Sequence, residues 1–331
     1  AYGKDEIYTR MALDSLAGWK WLSAVSGLPI LAPHGVLFFF LSEEAYLRDS
    51  LTVHRRLNLP TEALTAAEMT RRFPMIDFSG ITAGLFEPEF GALIARRAVQ
   101  SLVMHFVQSG GEYRNGLAAV PESTDRKLPF ATLAAGERLQ ADNFVFALGP
   151  WLPKLFPDLL ENRIVATRQE VFYFAPPAGD PLFQPGHMPG WADFNNGDIF
   201  YGFPDLEARG VKFAHDKHGA VVDPDTQSRR PTEVAIAEVT AFRDRRFPKL
   251  RGAPLIGAEV CQYENSSNGD FLIDRHPRWG NVVLVGGGSG HGFKHGPEVG
   301  RYAAGLVTGT MKVEPRFSLA TKGERQKREV H

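Results

Sequence analysis

The chain has 331 residues, 44% hydrophobic and 23% charged, with 37 Lys and Arg against 38 Asp and Glu. That balance is ordinary for a globular protein and gives no electrostatic reason to expect nucleic acid or an anionic membrane as a partner. No apolar run approaches the ~20 residues needed to cross a bilayer, and the single cysteine, Cys261, excludes an intramolecular disulfide framework and fits a reducing, cytoplasmic setting. The charged N-terminus has no apolar segment behind it of the kind a signal peptide carries.

A first helix is predicted where Met11, Leu13, Leu16, Trp19, Trp21 and Leu22 recur at largely helical spacing. A strand over 36–41 and a helix over 63–72 follow, then an extended segment at 84–88 and a long helix over 95–109 closed by Gly110-Gly111. Short strands fill 111–149, the last of them running into Gly149. Strand-like runs recur at 169–174, 198–203 and 210–214, where Lys212 alternates with Val211 and Phe213 as though facing one side of a strand. A loop over 223–230 leads to a helix over 232–247, ended before Pro248. Strands are predicted at 269–273 and 281–285, a glycine-rich turn at 286–292, and a helix over 296–309. The polar tail, 322–331, is expected to be solvated.

A buried strand, five glycines in seven residues (Gly286-Gly-Gly-Ser-Gly-His-Gly292) and then a helix present backbone N–H groups to an anion. The dinucleotide fingerprint G-x-G-x-x-G nevertheless fails, because the sixth position is His291 or Phe293. On these residues alone, a tight turn in an α/β domain explains the glycines as well as a ligand does. A lone cysteine is ordinarily a small buried hydrophobe.

The longer string is more specific. Ser289-Gly-His-Gly-Phe-Lys294 follows Asn281-Val-Val-Leu-Val285, with Val260-Cys-Gln-Tyr263 and Phe271-Leu-Ile-Asp274-x-His276-Pro277 upstream. In this order the motifs resemble the C-terminal signature of the monomeric sarcosine oxidase family, within the wider D-amino-acid-oxidase-like flavoproteins. Weaker matches at Ala1-Tyr-Gly3, Phe86-Glu-Pro-x-x-Gly91, Leu148-Gly-Pro-Trp151 and Tyr201-Gly-Phe-Pro204 extend the resemblance over nearly the whole chain.

The resemblance implies FAD, tethered by a thioether from Cys261 to the flavin 8α carbon. It places Ser289, Gly290, His291, Gly292, Phe293 and Lys294 at the flavin, with Lys294 also meeting the substrate carboxylate. The amides of 290–293, the following helix dipole and the Lys294 ammonium would stabilise negative charge on the reduced pyrimidine ring. It assigns Lys212 to oxygen activation through a water at flavin N5, Tyr201 and Tyr263 to the substrate pocket, and Gly149 and Trp151 to a cofactor-contacting turn. The family has Tyr-His shortly after the Lys212 position, where this chain reads His215-Asp216. His215 is therefore the candidate histidine, shifted by one. Glu264 and Asn265 replace a threonine-containing stretch.

The implied fold is a mixed α/β flavoprotein. An FAD-binding, Rossmann-like domain (1–30, 91–165 and 265–331) interleaves with a mainly antiparallel-sheet substrate domain (31–90 and 166–264). No glycine fingerprint of a first βαβ unit precedes Ala1, so the chain is expected to be N-terminally truncated and, by itself, inactive. The implied activity is oxidation of the C–N bond of a secondary or N-methyl amino acid by a monomer, with small-molecule substrate and O2 as its partners and hydrogen peroxide as a product. A dehydrogenase using another acceptor and a non-catalytic flavin-binding protein are the alternatives.

Overall fold

The computed structural model describes residues 1–195 and 197–327. Helix α1 (Glu6–Ser26) closes at Gly27, whose φ of 65° supplies the left-handed cap. Strands β1 (Leu31–Pro33) and β2 (Val36–Phe40) lead to α2 (Ala45–Arg56), which has no counterpart among the predicted elements. Its buried face is Leu47, Ser50, Val53 and His54, so two polar residues interrupt the apolar period that would announce it.

The helix expected over 63–72 divides into strand β3 (Glu62–Thr65) and helix α3 (Ala66–Arg72). The Thr65 hydroxyl accepts from the Glu68 amide at 3.3 Å while the Glu68 carboxylate accepts from the Thr65 amide at 2.8 Å. This reciprocal cap starts the helix at Ala66 and leaves 62–65 to pair with β4 (Ala83–Glu87). Then come β5 (Gly91–Leu93), α4 (Ala95–Gln108), β6 (Ala131–Thr132), β7 (Arg138–Leu139) and β8 (Phe144–Phe146). Short helices α5 (Leu152–Leu155) and α6 (Pro157–Leu160) precede β9 (Ile164–Phe174), β10 (Gly190–Asn195), β11 (Asp198–Phe203) and β12 (Val211–Asp216).

Helix α7 (Glu233–Arg246), capped by Thr232, leads to the long strand β13 (Leu255–Ser266), then β14 (Leu272–Arg275), β15 (Val282–Gly286) and helix α8 (Gly296–Thr308). The strand expected at 269–273 lies three residues later. Gly269, at φ 79°, and a 2.6 Å bond from Ser266 Oγ to the Asp270 carbonyl hold the preceding residues as a turn.

Two sheets organise the molecule. The larger runs β13-β9-β12-β11-β10-β2-β4-β3, antiparallel except where β10 lies parallel to β2. The smaller is β14-β15-β8, with β15 and β8 parallel. Side chains alternate along each strand, so β2 sends Leu37 and Phe39 into one cluster and Phe40 into another. The first cluster joins Trp191, Phe213 and Phe172 to Val239 and Phe242 of α7. The small sheet is covered by α1 and α8 on one face, through Tyr8, Met11, Ile273, Val283 and Leu306, and by Leu152, Phe156 and Leu160 on the other.

A buried ion pair joins the end of α7 to the large sheet. Arg246 Nε lies 2.7 Å from Asp193 Oδ2 in β10, with the side chains 7% and 0% exposed. The expectation of a solvated tail fails at its start, because Lys322 is buried and its ammonium donates to the Arg316 carbonyl at 3.1 Å. The Lys327 amide in turn bonds the Ser267 carbonyl, and residues 328–331 of that expectation lie outside the described residues. No helix among the described residues is long and apolar enough to cross a membrane.

Candidate active site

Residues directly opposite one another on neighbouring strands share a face. The register of β11 against β12 pairs Phe203 with Lys212, Tyr201 with Ala214, and Ile199 with Asp216. The register continues the same face through Lys212 and Tyr173, then Gln169 and Cys261, then Thr167 and Tyr263. One face of the large sheet therefore carries Tyr201, Lys212, Asp216, Cys261 and Tyr263. It borders a cavity of about 500 Å³ whose walls include Tyr201, Lys212, Asp216 and Tyr263.

The glycine turn after β15 forms another wall through Ser289, Gly290, His291, Phe293 and Lys294. Its backbone suits this position: Gly287 has φ 69°, Gly290 φ 82°, and a Cβ on Gly290 would stand 2.5 Å from the Tyr263 ring. The Ser289 hydroxyl accepts from the Ser266 amide at 3.1 Å, and the Ser289 amide donates to the Glu264 carbonyl. The His291 amide bonds the Gly288 carbonyl at 2.9 Å, so within 290–293 that donor is already used inside the turn. Helix α1 clamps the far side. Trp19 stacks on Phe293 with centroids 5.4 Å apart, and its Nε1 donates to the Lys294 carbonyl at 2.8 Å.

Two ammonium groups border this space. Lys212 Nζ sits 5.2 Å from the centroid of the Tyr201 ring and 5.3 Å from that of Phe203, and Lys294 Nζ lies 5.1 Å from the Tyr2 ring. Neither forms an ion pair with a carboxylate among the described residues. Solvent reaches Lys294 across the cavity, but the surrounding protein still pulls its pKa down to about 8, against the pull of Asp216 and Glu87. Burial also lowers Lys212, opposed by Cys261 and Glu259, and raises the Cys261 thiol, opposed by Lys212. The Tyr263 hydroxyl is hydrogen-bonded to both Tyr201 and Asp216, and burial raises both phenols. Under the glycine turn, burial pushes the Glu264 carboxylate up to about 7, opposed by the nearby Gly287 and Gly288 amides, and its Oε1 is buried without a hydrogen-bond partner among the described residues.

The other candidates lie elsewhere. His215 points to the opposite face of β12, stacked on Phe200 at 4.0 Å and bonded to Glu238 at 3.0 Å and Asp198 at 2.6 Å. Strand parity accounts for this placement: a residue three after Lys212 faces away from it, whereas Asp216, four after, shares its face. Gly149 and Trp151 do not line the cavity. Trp151 Nε1 donates to Asp225 at 2.7 Å, in a surface cluster with Lys154. Cys261 and Gly292 also lie outside the cavity wall, Cys261 beside it on the same sheet face.

Unforeseen in the sequence are the apolar wall residues Phe38, Phe194 and Ile199, and the acid Glu87, which is bonded to the Ala1 ammonium at 2.7 Å. Only a period-two reading of β11 could have found Ile199.

The FAD dependent oxidoreductase family (DAO) matches residues 1–306. The chain belongs to that family. Among relatives of this oxidoreductase, human peroxisomal sarcosine oxidase is 28% identical over 322 residues, covering 96% of this chain and 81% of its own length. Monomeric sarcosine oxidase of Bacillus sp. (strain B-0618) is 28% identical over 328 residues, with 96% and 82% covered. N-methyl-L-tryptophan oxidase of Salmonella arizonae reaches 30% over 330 residues, with 96% and 83% covered. In fold, L-proline dehydrogenase from P. horikoshii superposes with a TM-score of 0.80 at 19% identity, over 96% of this chain and 83% of that one. A modified fructosyl peptide oxidase from Aspergillus nidulans gives 0.83 at 18%, over 98% and 81%. The mixed α/β architecture is thus that of the flavin oxidases.

The residues present fit a flavin. An aromatic-walled cavity, a glycine wall that a side chain at 290 would fill, and two cations without carboxylate partners suit a planar group that gains negative charge. The Gln169 amide nitrogen, buried without an acceptor on the same sheet face as Cys261, adds a free donor.

Proposed function

We propose that this oxidoreductase, acting as a monomer, oxidises the C–N bond of a secondary or N-methyl amino acid, giving an imine that water hydrolyses, with O2 reduced to hydrogen peroxide. Bound FAD supplies the two-electron acceptor for this chemistry. The observation that carries the reading is the convergence of Lys212, Tyr201, Tyr263 and Lys294 on one cavity, in a chain of this family. Relatives named sarcosine oxidase and N-methyl-L-tryptophan oxidase support the substrate class.

In this reading Lys294 holds the substrate carboxylate, and the Tyr201–Tyr263 pair orients the amine. The apolar wall formed by Phe38, Phe194 and Ile199 excludes bulk water from the reacting carbon. Lys212, poised over the Tyr201 and Phe203 rings, places a positive charge where reduction of O2 develops negative charge. Residues 289, 290 and 293 hold the flavin ring. Cys261 is the proposed thioether tether; burial raises its thiol, and the adjacent Lys212 partly opposes that rise.

The test is anaerobic mixing of the flavin-loaded protein with sarcosine, other N-methyl amino acids and pipecolate. Bleaching of the flavin followed by peroxide on admitting air supports the reading. Bleaching without peroxide assigns the electrons to another acceptor, and no bleaching by any of them refutes the substrate class. Yellow colour retained after acid precipitation, and lost in Cys261→Ala, tests the tether.

A further inference from the structure

Asp216 faces the cavity from the same side of β12 as Lys212, opposite Ile199 in β11. It hydrogen-bonds the Tyr263 hydroxyl, which also bonds Tyr201. Its charge acts on Lys294 across the cavity, and the imidazole of His218 also lines this space. The site therefore presents a cation on the glycine turn and an anion on the sheet, both toward one volume. That separation of charge is complementary to a zwitterion, with a carboxylate for Lys294 and a positively charged nitrogen for Asp216.

We propose that Asp216 is a specificity-determining residue: it is the counter-ion for the substrate's cationic nitrogen, and it makes the site select zwitterionic amino acids over carboxylates of the same shape. The proposal rests on the amino-acid reading given above, with Lys294 as the carboxylate anchor. It differs from a role in which Asp216 merely balances Lys294, because that role would act on every carboxylate ligand alike.

Two isosteric ligands separate the cases. Trimethylglycine and 3,3-dimethylbutanoate share shape and carboxylate, differ only in the charged nitrogen, and the former has no nitrogen lone pair to be oxidised. Calorimetric titration of the flavin-loaded protein is expected to give at least tenfold tighter binding of trimethylglycine. Asp216→Asn should abolish the preference by weakening trimethylglycine alone, and Asp216→Glu should restore most of it.

Equal affinities in the unsubstituted protein overturn the proposal whether or not the variants fold. So do equal changes for both ligands in Asp216→Asn, which would show a role confined to Lys294 and leave the amino-acid reading standing. Binding of neither ligand by the unsubstituted protein would remove the carboxylate site itself, and both inferences with it.

Discussion

The Arg246–Asp193 pair offers a test of what holds the cavity-bearing sheet in place. Arg246 Nε meets Asp193 Oδ2 at 2.7 Å, and Nη1 donates to the carbonyls of Asp77 and Ser79 at 3.0 and 2.9 Å. Arg246→Met keeps much of the side-chain volume but leaves Asp193, whose side chain is fully buried, with only the Asn195 amide, at 2.8 Å, as a side-chain partner among the described residues. Removing one partner of a buried pair costs about 3–5 kcal/mol, because the other charge is stranded. At about 2.1 cal/mol/K per residue, a chain of 331 residues has an unfolding entropy of roughly 0.7 kcal/mol/K, so the melting temperature should fall by about 4–7 °C. Scanning calorimetry reads this directly. Adding Asp193→Asn removes the stranded charge and should recover a substantial part of the loss. A fall below about 1 °C for Arg246→Met, or a double variant no more stable than the single one, would refute the argument.

Gly290→Ala should cost most of the flavin affinity, because it forces a side chain into φ 82° and against the Tyr263 ring at 2.5 Å; unchanged flavin binding by fluorescence titration would count against the close approach. Glu264, raised to about 7 from an ordinary 4.5, favours the folded state fully only below about pH 4.5. That contribution is lost as pH rises through about 7, so Glu264→Gln should flatten the fall in melting temperature over that interval, and an unaltered profile would contradict it. Lys212→Met should slow reoxidation of the reduced flavin by O2 at least tenfold while changing flavin reduction by substrate much less; stopped-flow rates that fall together would remove its assigned role.

Much of the fold was legible because the sequence is periodic where it is regular. The run Asp198–Phe203 was predicted with the bounds it has, since Ile199, Phe200, Tyr201 and Phe203 are β-branched or aromatic and turn residues flank them. Helix α2 was invisible because Ser50 and His54 occupy its buried face, and β13 was missed because polar residues, exposed at Glu259, half-buried at Gln262 and buried at Glu264, break its pattern. At the site, the motif around Gly290 could be read because its glycines are demanded by backbone geometry. Asp216 could not be singled out from residue type, since a histidine beside it looked the better match. Only strand parity, with Lys212 as the reference, distinguishes the side chain facing the cavity from the one facing α7.

That parity also explains how the sheet can hold charges that burial disfavours. On the rear of β11 and β12, Phe200 stacks between His215 and Phe242, with centroids 4.0 and 4.1 Å away, and Trp191 stacks on the same Phe242 at 5.7 Å. This aromatic layer supplies large apolar burial and fixes the strands against α7. On the front, Lys212 keeps its ammonium group without a carboxylate partner among the described residues, an arrangement that costs stability until an anion arrives. The rear face offsets that cost, and the Arg246–Asp193 pair fixes β10 in register beside it. A ligand carrying negative charge then offsets the desolvation of Lys212 at the front. Binding energy at this site is thus available for orientation, because the scaffold behind it is already rigid.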